Sequence, residues 1–417
     1  MGQVLENSVA AGLCLLLAFG PLAFGGVQAW AIFILEAGSA LLFITWAAGA
    51  IARPRVEIAS SPLFPPIVLF AGLVAAQLLL NRSAYWYATW QKALLWAAYG
   101  ILFFLSIQCF RREAWLRRFG IACSVYGFLV AMFAIAQQFA GNGKYYWVMP
   151  NQAARPFFGP YANHANYAGL MEMLVPFPLV LAMADFSPVP LRVLYSFVAV
   201  IMSSTIFLSQ SRGGVIALAI EVGVLAVLSA RGRRTRGQLV SVGLFCLLVV
   251  FCLVLVRPNG LGERFMQLGK RADQAHDPSR LTMAKDSLKM VRRRPLLGWG
   301  FGTFPVVYPS FRSFYTDFTV NAAHDDFVEL AVETGLLGFA LMVAFLYLLY
   351  RTSMNRIKHW RHDPRDSTAL AALVGCTGLI VHSFSDFNLQ VPANAALFFV
   401  LVAIATGTSA KGAASTR

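Results

Sequence analysis

Charge is what this chain has least of. Only 13% of its 417 residues are Asp, Glu, Lys or Arg, against 58% hydrophobic residues, and the mean hydropathy is +0.63. That composition excludes a water-soluble core and reads as a polytopic membrane protein. Acids are scarcer than bases, 19 against 34. The six cysteines all fall inside or at the ends of apolar runs and form no C-x-x-C pair, so neither a zinc knuckle nor a disulfide framework is available. There is no phosphate-binding glycine loop and no acid-x-acid pair of the nucleotide-sugar type, which leaves a cytoplasmic nucleotide site without support. Met1 to Ser8 lacks the Lys or Arg of a basic signal-peptide start, so the first apolar run is expected to remain as a helix.

What the chain has instead is long apolar runs. Stretches of roughly 17 to 25 apolar residues cross a hydrocarbon core of about 30 Å as helices. About twelve are expected, near 8–26, 29–51, 62–80, 92–110, 119–140, 166–184, 192–209, 213–230, 238–256, 325–350, 367–384 and 391–408. The expected fold is therefore an all-α polytopic membrane protein.

Loop charge gives the orientation, because Lys and Arg collect in cytoplasmic loops. One set of short loops and ends holds 18 Lys and Arg, the opposite set holds five (Arg82, Lys92, Lys144, Arg155, Arg212), and residues 257–323 hold eleven. A long loop translocates largely regardless of its charge. Both termini are thus expected in the cytoplasm, with a division into 1–256 (nine spans), an outer loop 257–324, 325–408 (three spans) and a cytoplasmic tail 409–417. The net charge of +15 orients the protein toward anionic lipids; without a nucleic-acid-binding motif it does not indicate nucleic acid.

On the outer side, Tyr85, Trp86, Tyr87 and Trp90 follow Arg82, and Tyr145, Tyr146 and Trp147 follow Lys144. Such rings suit a headgroup boundary; a surface for sugars or prenyl chains is the sharper alternative. Within the long loop, Asp277-Pro278 begins a helix expected over 278–293 and able to lie on the membrane. Its apolar side is read as Leu281, Ala284, Leu288 and Val291, with Lys285, Lys289, Arg292 and Arg293 on the polar side. Arg280 sits in its first turn, where free amides and a guanidinium suit a phosphate. Pro295 to Phe304 is a glycine-punctuated turn in which backbone can approach a ligand closely.

Shorter outer clusters accompany the loop. Ser209 to Gly214 places Arg212 in a tight turn between two helices, to bind an anion or to snorkel to headgroups. Gly159 to Gly169 gathers Asn163, His164 and Asn166 at a helix start, as caps or as sugar-binding groups, with Arg155 in the preceding loop. His382 to Pro392 carries Asp386, an acid near the membrane that needs a partner and is expected to orient an arginine or histidine. The loop ends at Ala323-His324-Asp325-Asp326. Asp325 and Asp326 suit a helix N-terminus, whereas Glu329 and Glu333 carry carboxylates into an apolar segment, either to pair with arginines or to hold the His324 imidazole as a base.

These residues resemble the O-antigen ligase and Wzy-type polymerase superfamily. The resemblance lies in His324, Gly335 and Gly338 within His-Asp-Asp-Phe-Val-Glu-Leu-Ala-Val-Glu-Thr-Gly-Leu-Leu-Gly, in Ser211-Arg212-Gly213-Gly214, in Asn163-His164-Ala165-Asn166, and in Ser279-Arg280 followed by Arg294-Pro295-Leu296-Leu297-Gly298-Trp299-Gly300. It implies a GT-C-like inner-membrane enzyme, without cofactor or metal, that transfers a glycan with inversion from an undecaprenyl diphosphate carrier to a hydroxyl at the periplasmic face. His324 and Asp325 would then be catalytic, Arg212 and Arg280 would hold the diphosphate, and Arg155, Asn163, His164, Asn166 and Asp386 would bind or orient substrate. Fixed arginines replacing a metal at a diphosphate agree with the chemistry such a leaving group needs. The expected reaction is ligation onto lipid A-core, with O-antigen or exopolysaccharide polymerisation as the alternative and protein O-oligosaccharyl transfer third. Asp325 stands where the superfamily often has Asn, Ser or Gln. A secondary transporter is the reading from a different class; it requires related halves, and no half-to-half similarity is visible.

Overall fold

Uninterrupted apolar runs fold into long helices because each span must satisfy its own backbone in lipid. The computed structural model describes residues 2–53, 58–151, 157–230, 243, 278–315 and 320–407, and among them every regular element is helical. The helices are α1 (Gly2–Leu22), α2 (Ala29–Ile51), α3 (Phe64–Leu79), α4 (Trp86–Cys109), α5 (Glu113–Ala140), α6 (His164–Leu174), α7 (Pro176–Met183), α8 (Val189–Leu208), α9 (Arg212–Ala230), α10 (Pro278–Arg293), α11 (Phe304–Val307), α12 (Asp326–Arg356), α13 (Pro364–His382) and α14 (Pro392–Thr406).

Among the described residues, eight segments are long and apolar enough to cross a membrane: Leu5–Leu22, Ala29–Ile51, Trp86–Cys109, Glu113–Ala140, His164–Met183, Val189–Leu208, Arg212–Ser229 and Asp326–His359. Three more expected runs fold as α3, α13 and α14, of which α3 and α14 are short apolar helices. The run at 238–256, apart from Gly243, and the first part of the long loop lie outside the described residues. α13 and α14 form the centre, packed on each other and on α4, α6, α7 and α9, with nearly all of their side chains buried. Peripheral α2 is mostly exposed, with Phe33, Leu41 and Ile44 on its outer face, as lipid contact permits.

α10 begins and ends as expected, but a different face packs. Met283 and Met290 are buried in a small core with Phe304, Val307 and Tyr308, while Leu281 and Leu288 are exposed. Asp286 decides the rotation: its buried carboxylate accepts from the Ser313 amide and hydroxyl, each at 2.9 Å, and from Lys289 Nζ at 2.8 Å. Leu281, Lys285, Leu288 and Arg292, spaced i, i+4, i+7 and i+11, therefore share the outer face, so Lys285 and Arg292 do not oppose the leucines.

α12 is broken at Gly335, whose φ of 68° and ψ of −168° are not helical. The glycine-punctuated turn repairs the break. Leu336 N donates to Pro295 O at 2.7 Å and Leu337 N to Leu296 O at 3.4 Å, while Trp299 N and Gly300 N donate to the Val332 and Glu333 carbonyls at 3.0 and 2.9 Å. Gln77 of α3 seals the joint, donating to Leu297 O and Glu333 O and accepting from Phe301 N. The close backbone approach foreseen for this turn is thus to α12 itself.

Candidate functional site

The first residues of α6, α9 and α12 meet the last residue of α13 and the turn that follows it. At the start of α12 the acids near His324 divide their work. Asp325 is the N-cap, its Oδ1 accepting from Phe327 N and Val328 N at 3.0 Å each. Glu329 reaches back to accept from Ala323 N at 2.8 Å. Asp326 accepts from Leu389 N at 2.9 Å, and its own amide donates to Ser383 O at 3.0 Å, which clamps the turn after α13 onto α12. Glu333 accepts from Phe304 N at 3.0 Å. The buried acids of α12 therefore serve loop amides, and among the described residues neither Glu329 nor Glu333 pairs with an arginine.

Between those anchors His324 adopts φ 53°, in the left-handed region where non-glycine residues are uncommon. Strain of this kind persists where neighbours over-determine it, and here Ala323 and Asp325 are both fixed. The ring stands edge-on to Phe387 at 5.0 Å. Its Nδ1 lies 3.6 Å from Asp386 Oδ1, close enough for an ion pair and too long for a hydrogen bond. Burial pushes the Asp386 carboxyl upward, but the Phe387 amide and the His324 and His382 rings outweigh it and hold the group below its ordinary value. Burial raises Asp325, and its two amide donors only partly counter this.

The remaining sequence-selected residues separate. His164 opens α6 behind the Asn163 cap, whose Oδ1 accepts from Ala165 N at 2.9 Å. Its ring lies against the Ser209 backbone and within electrostatic reach of Asp386 and His382, with Nδ1 buried and unpartnered. Arg212 is the exposed first residue of α9, and the next position, Gly213, packs against His382 and Ser385. Asn166 is buried in the bundle, where its backbone carbonyl accepts from Asn394 Nδ2 at 2.9 Å and its side-chain Oδ1 has no hydrogen-bond partner among the described residues. Arg280 falls in the first turn of α10, its side chain outside what is described; Arg155 lies outside the described residues altogether. The structure thus brings His324, Asp386, His164 and the Arg212 turn together and leaves Asn166 in a packing network.

Sequence reasoning missed Glu172 and gave His382 no role of its own. His382 Nδ1 is 2.8 Å from Glu172 Oε1 and its Nε2 3.3 Å from Ser211 Oγ. The available signal for Glu172 was an acid inside an apolar run. Lys92 was counted only as loop charge, yet its ammonium donates to Gln390 and ties α4 to the same turn. Beneath this end of α12 lies an apolar cavity of about 130 Å³, walled by Phe70, Trp96, Phe301, Phe327 and Phe399, with Asp326 and Glu333 also lining it.

Of the two aromatic groups, Tyr85, Trp86, Tyr87 and Trp90 are exposed at the start of α4, as an interfacial belt would be. The second is tied to the bundle, Tyr146 donating to Leu22 O and Trp147 to Ala140 O.

Fold and site together define a helical membrane protein with a polar, histidine-bearing site assembled where helix ends and a structured loop meet. Residues 197–343 match the family described as O-antigen ligase, so this part of the chain is O-antigen ligase-related; members of that family are glycosyltransferase-like ligases or polymerases. The matched region contains the Arg212 turn, the loop and His324; Glu172, His382 and Asp386 lie outside it. No curated protein matches the chain.

Proposed function

We propose that this protein is an inner-membrane glycosyltransferase that moves a glycan from undecaprenyl diphosphate to a hydroxyl at the periplasmic face, and that the acceptor is lipid A-core. The observation that carries the reading is His324, held in a left-handed conformation beside Asp386 within a region that matches the O-antigen ligase family. In the reaction the acceptor oxygen attacks the anomeric carbon from the face opposite the diphosphate. A carbon–oxygen bond forms as the bond to the diphosphate breaks, and its electron pair leaves with the phosphate. His324 takes the hydroxyl proton on Nε2, the ring nitrogen not turned toward Asp386, and Asp386 steadies the imidazolium that results. Arg212 and Arg280 meet the charge growing on the leaving group. His164 and Asn163 border the acceptor sugar, Arg155 approaches from the preceding loop, and Asp325 acts through the cap that fixes His324. The apolar cavity below takes lipid chain. The charge asymmetry of the loops supports cytoplasmic termini and an outward-facing site.

The test is transfer by purified protein in proteoliposomes, supplied with lipid-linked glycan and lipid A-core. His324→Ala is expected to lower kcat by roughly 100-fold or more, the contribution of a positioned general base, and Asp386→Asn to cause a smaller loss. Transfer that survives His324→Ala overturns the catalytic assignment. A ladder of lengthening glycan on the carrier identifies a polymerase, and transport without bond formation removes the enzyme reading.

A further inference from the structure

A buried side-chain relay links three helices at the site, and the proposed chemistry leaves it without a task. Glu172 is eight residues into α6 and completely buried, and its Oε1 is 2.8 Å from Nδ1 of His382, itself 1% exposed. On the other side, His382 Nε2 is 3.3 Å from Ser211 Oγ, and that oxygen accepts from Gly214 N at 3.1 Å, in the first turn of α9. One proton arrangement satisfies all three groups: the Ser211 hydroxyl donates to Nε2, and Nδ1–H donates to the carboxylate. With both nitrogens engaged the ring cannot turn.

The composition is that of a nucleophile, base and acid, yet a nucleophile is the wrong reading. Ser211 is only 3% exposed and its oxygen caps α9. What the relay does hold is position. Arg212 lies between Ser211, which bonds His382, and Gly213, where a Cβ would come within 2.6 Å of His382 Nε2 and Ser385 Oγ. The His382 carbonyl also accepts from Ser385 N and Asp386 N, at 2.9 and 3.1 Å. The ring of His382 therefore fixes the turn bearing Arg212, while the backbone of the same residue fixes the turn bearing Asp386. Burying a carboxylate in the membrane region is costly, and Glu172 Oε2 has no hydrogen-bond partner among the described residues.

We propose that His382, oriented by Glu172, is the positioning residue that sets Arg212 against the lipid-linked diphosphate. The proposal rests on the glycan-transfer reading and adds to it residues that touch no substrate.

The experiment uses full-length protein in nanodiscs, with two readouts: affinity for undecaprenyl diphosphate carrying no glycan, and transfer kinetics with separate KM values for donor and acceptor. His382→Ala and Glu172→Leu are expected to weaken diphosphate binding roughly tenfold, the scale of one lost charge-assisted hydrogen bond, and to raise the donor KM alike while the acceptor KM stays put. Glu172→Gln keeps an oxygen to accept from Nδ1–H and is expected to stay within about twofold of wild type. Wild-type donor affinity in His382→Ala and Glu172→Leu overturns the proposal, as does a lower kcat with unchanged donor affinity. Should those variants fail to fold, Ser211→Ala deletes one hydroxyl only, and undiminished diphosphate binding there is equally fatal. A wild-type protein that binds the diphosphate but transfers no glycan defeats the functional reading, while the binding comparison still decides the role of His382.

Discussion

Gly335→Ala tests whether the loop and the broken helix are one unit. The backbone there lies in a region open essentially to glycine, and a Cβ would run into the Leu296 carbonyl. An alanine must leave that conformation, at a strain of about 1–3 kcal/mol if it stays. Moving displaces the Pro295–Gly300 segment, which makes four backbone hydrogen bonds to α12 through Trp299, Gly300, Leu336 and Leu337. At about 1 kcal/mol for each of these bonds, losing all four costs the docking about 4 kcal/mol. The alternative open to the variant is a continuous helix, in which Leu336 N finds the Val332 carbonyl and stays protected. The informative amides are therefore Trp299 and Gly300, whose acceptors that helix takes away. Hydrogen exchange of the purified protein should show them at least roughly 100-fold faster than in the wild type, since about 3 kcal/mol of local stability is two decades. Trp299 and Gly300 amides with wild-type protection would refute the reasoning.

Two further outcomes follow from the carboxylates. Glu329→Leu strips the acceptor from Ala323 N and loosens the residue before His324 by about 1–3 kcal/mol, whereas Glu329→Gln keeps an oxygen in place; kcat of the leucine variant should fall about tenfold below that of the glutamine variant, and equal values would disprove the tie. Asp286 is subject to burial, which raises its carboxyl, but Lys289 and Ser313 outweigh this and hold it below the ordinary 3.8. Its contribution is thus complete above the unfolded value and lost as pH falls through the lower folded one. Protection of the Ser313 amide should exceed that in Asp286→Asn at about pH 6 and converge with it as pH falls through the lowered folded value; a gap that widens on acidification would contradict the assignment.

Much of the helix layout was legible because lipid, unlike water, imposes one rule on every span. The run read at 29–51 is α2 to the residue, and 278–293 and 213–230 match α10 and α9 within a residue. What the pattern did not carry was any feature decided by a distant partner. Apolar spacing on α10 favoured Leu281 and Leu288, but the buried face is set by Asp286, whose acceptor role depends on Ser313 beyond the helix. The break at Gly335 is invisible as periodicity, since the groups that repair it come from about residue 295 onward. Glu172 and His382 lie 210 positions apart. Short-range patterns report which side chains meet solvent or lipid; they say little about which polar groups meet each other.

The acids around His324 show why adjacency misled. A carboxylate one or two positions into a helix start is placed to accept from backbone amides, and a carboxylate one turn on can reach back to the residue before the cap. Asp325 and Glu329 do these things, and Asp326 clamps the turn across from them. Among the described residues none of these three pairs with the ring. A group that addresses the imidazole has to come from another element, and Asp386 does, from the turn that Asp326 holds and His382 shapes. Two buried carboxylates, Asp326 and Glu329, and the half-buried Asp325 thus stabilise the backbone on either side of one residue in the left-handed region. An interfacial histidine serving only to meet headgroups would gain nothing from that conformation or from a second carboxylate beside it. The cost, about 1–3 kcal/mol of strain, is intelligible if the direction of the His324 ring is what the surrounding hydrogen bonds maintain, which is the requirement of a base that must meet one hydroxyl in one orientation.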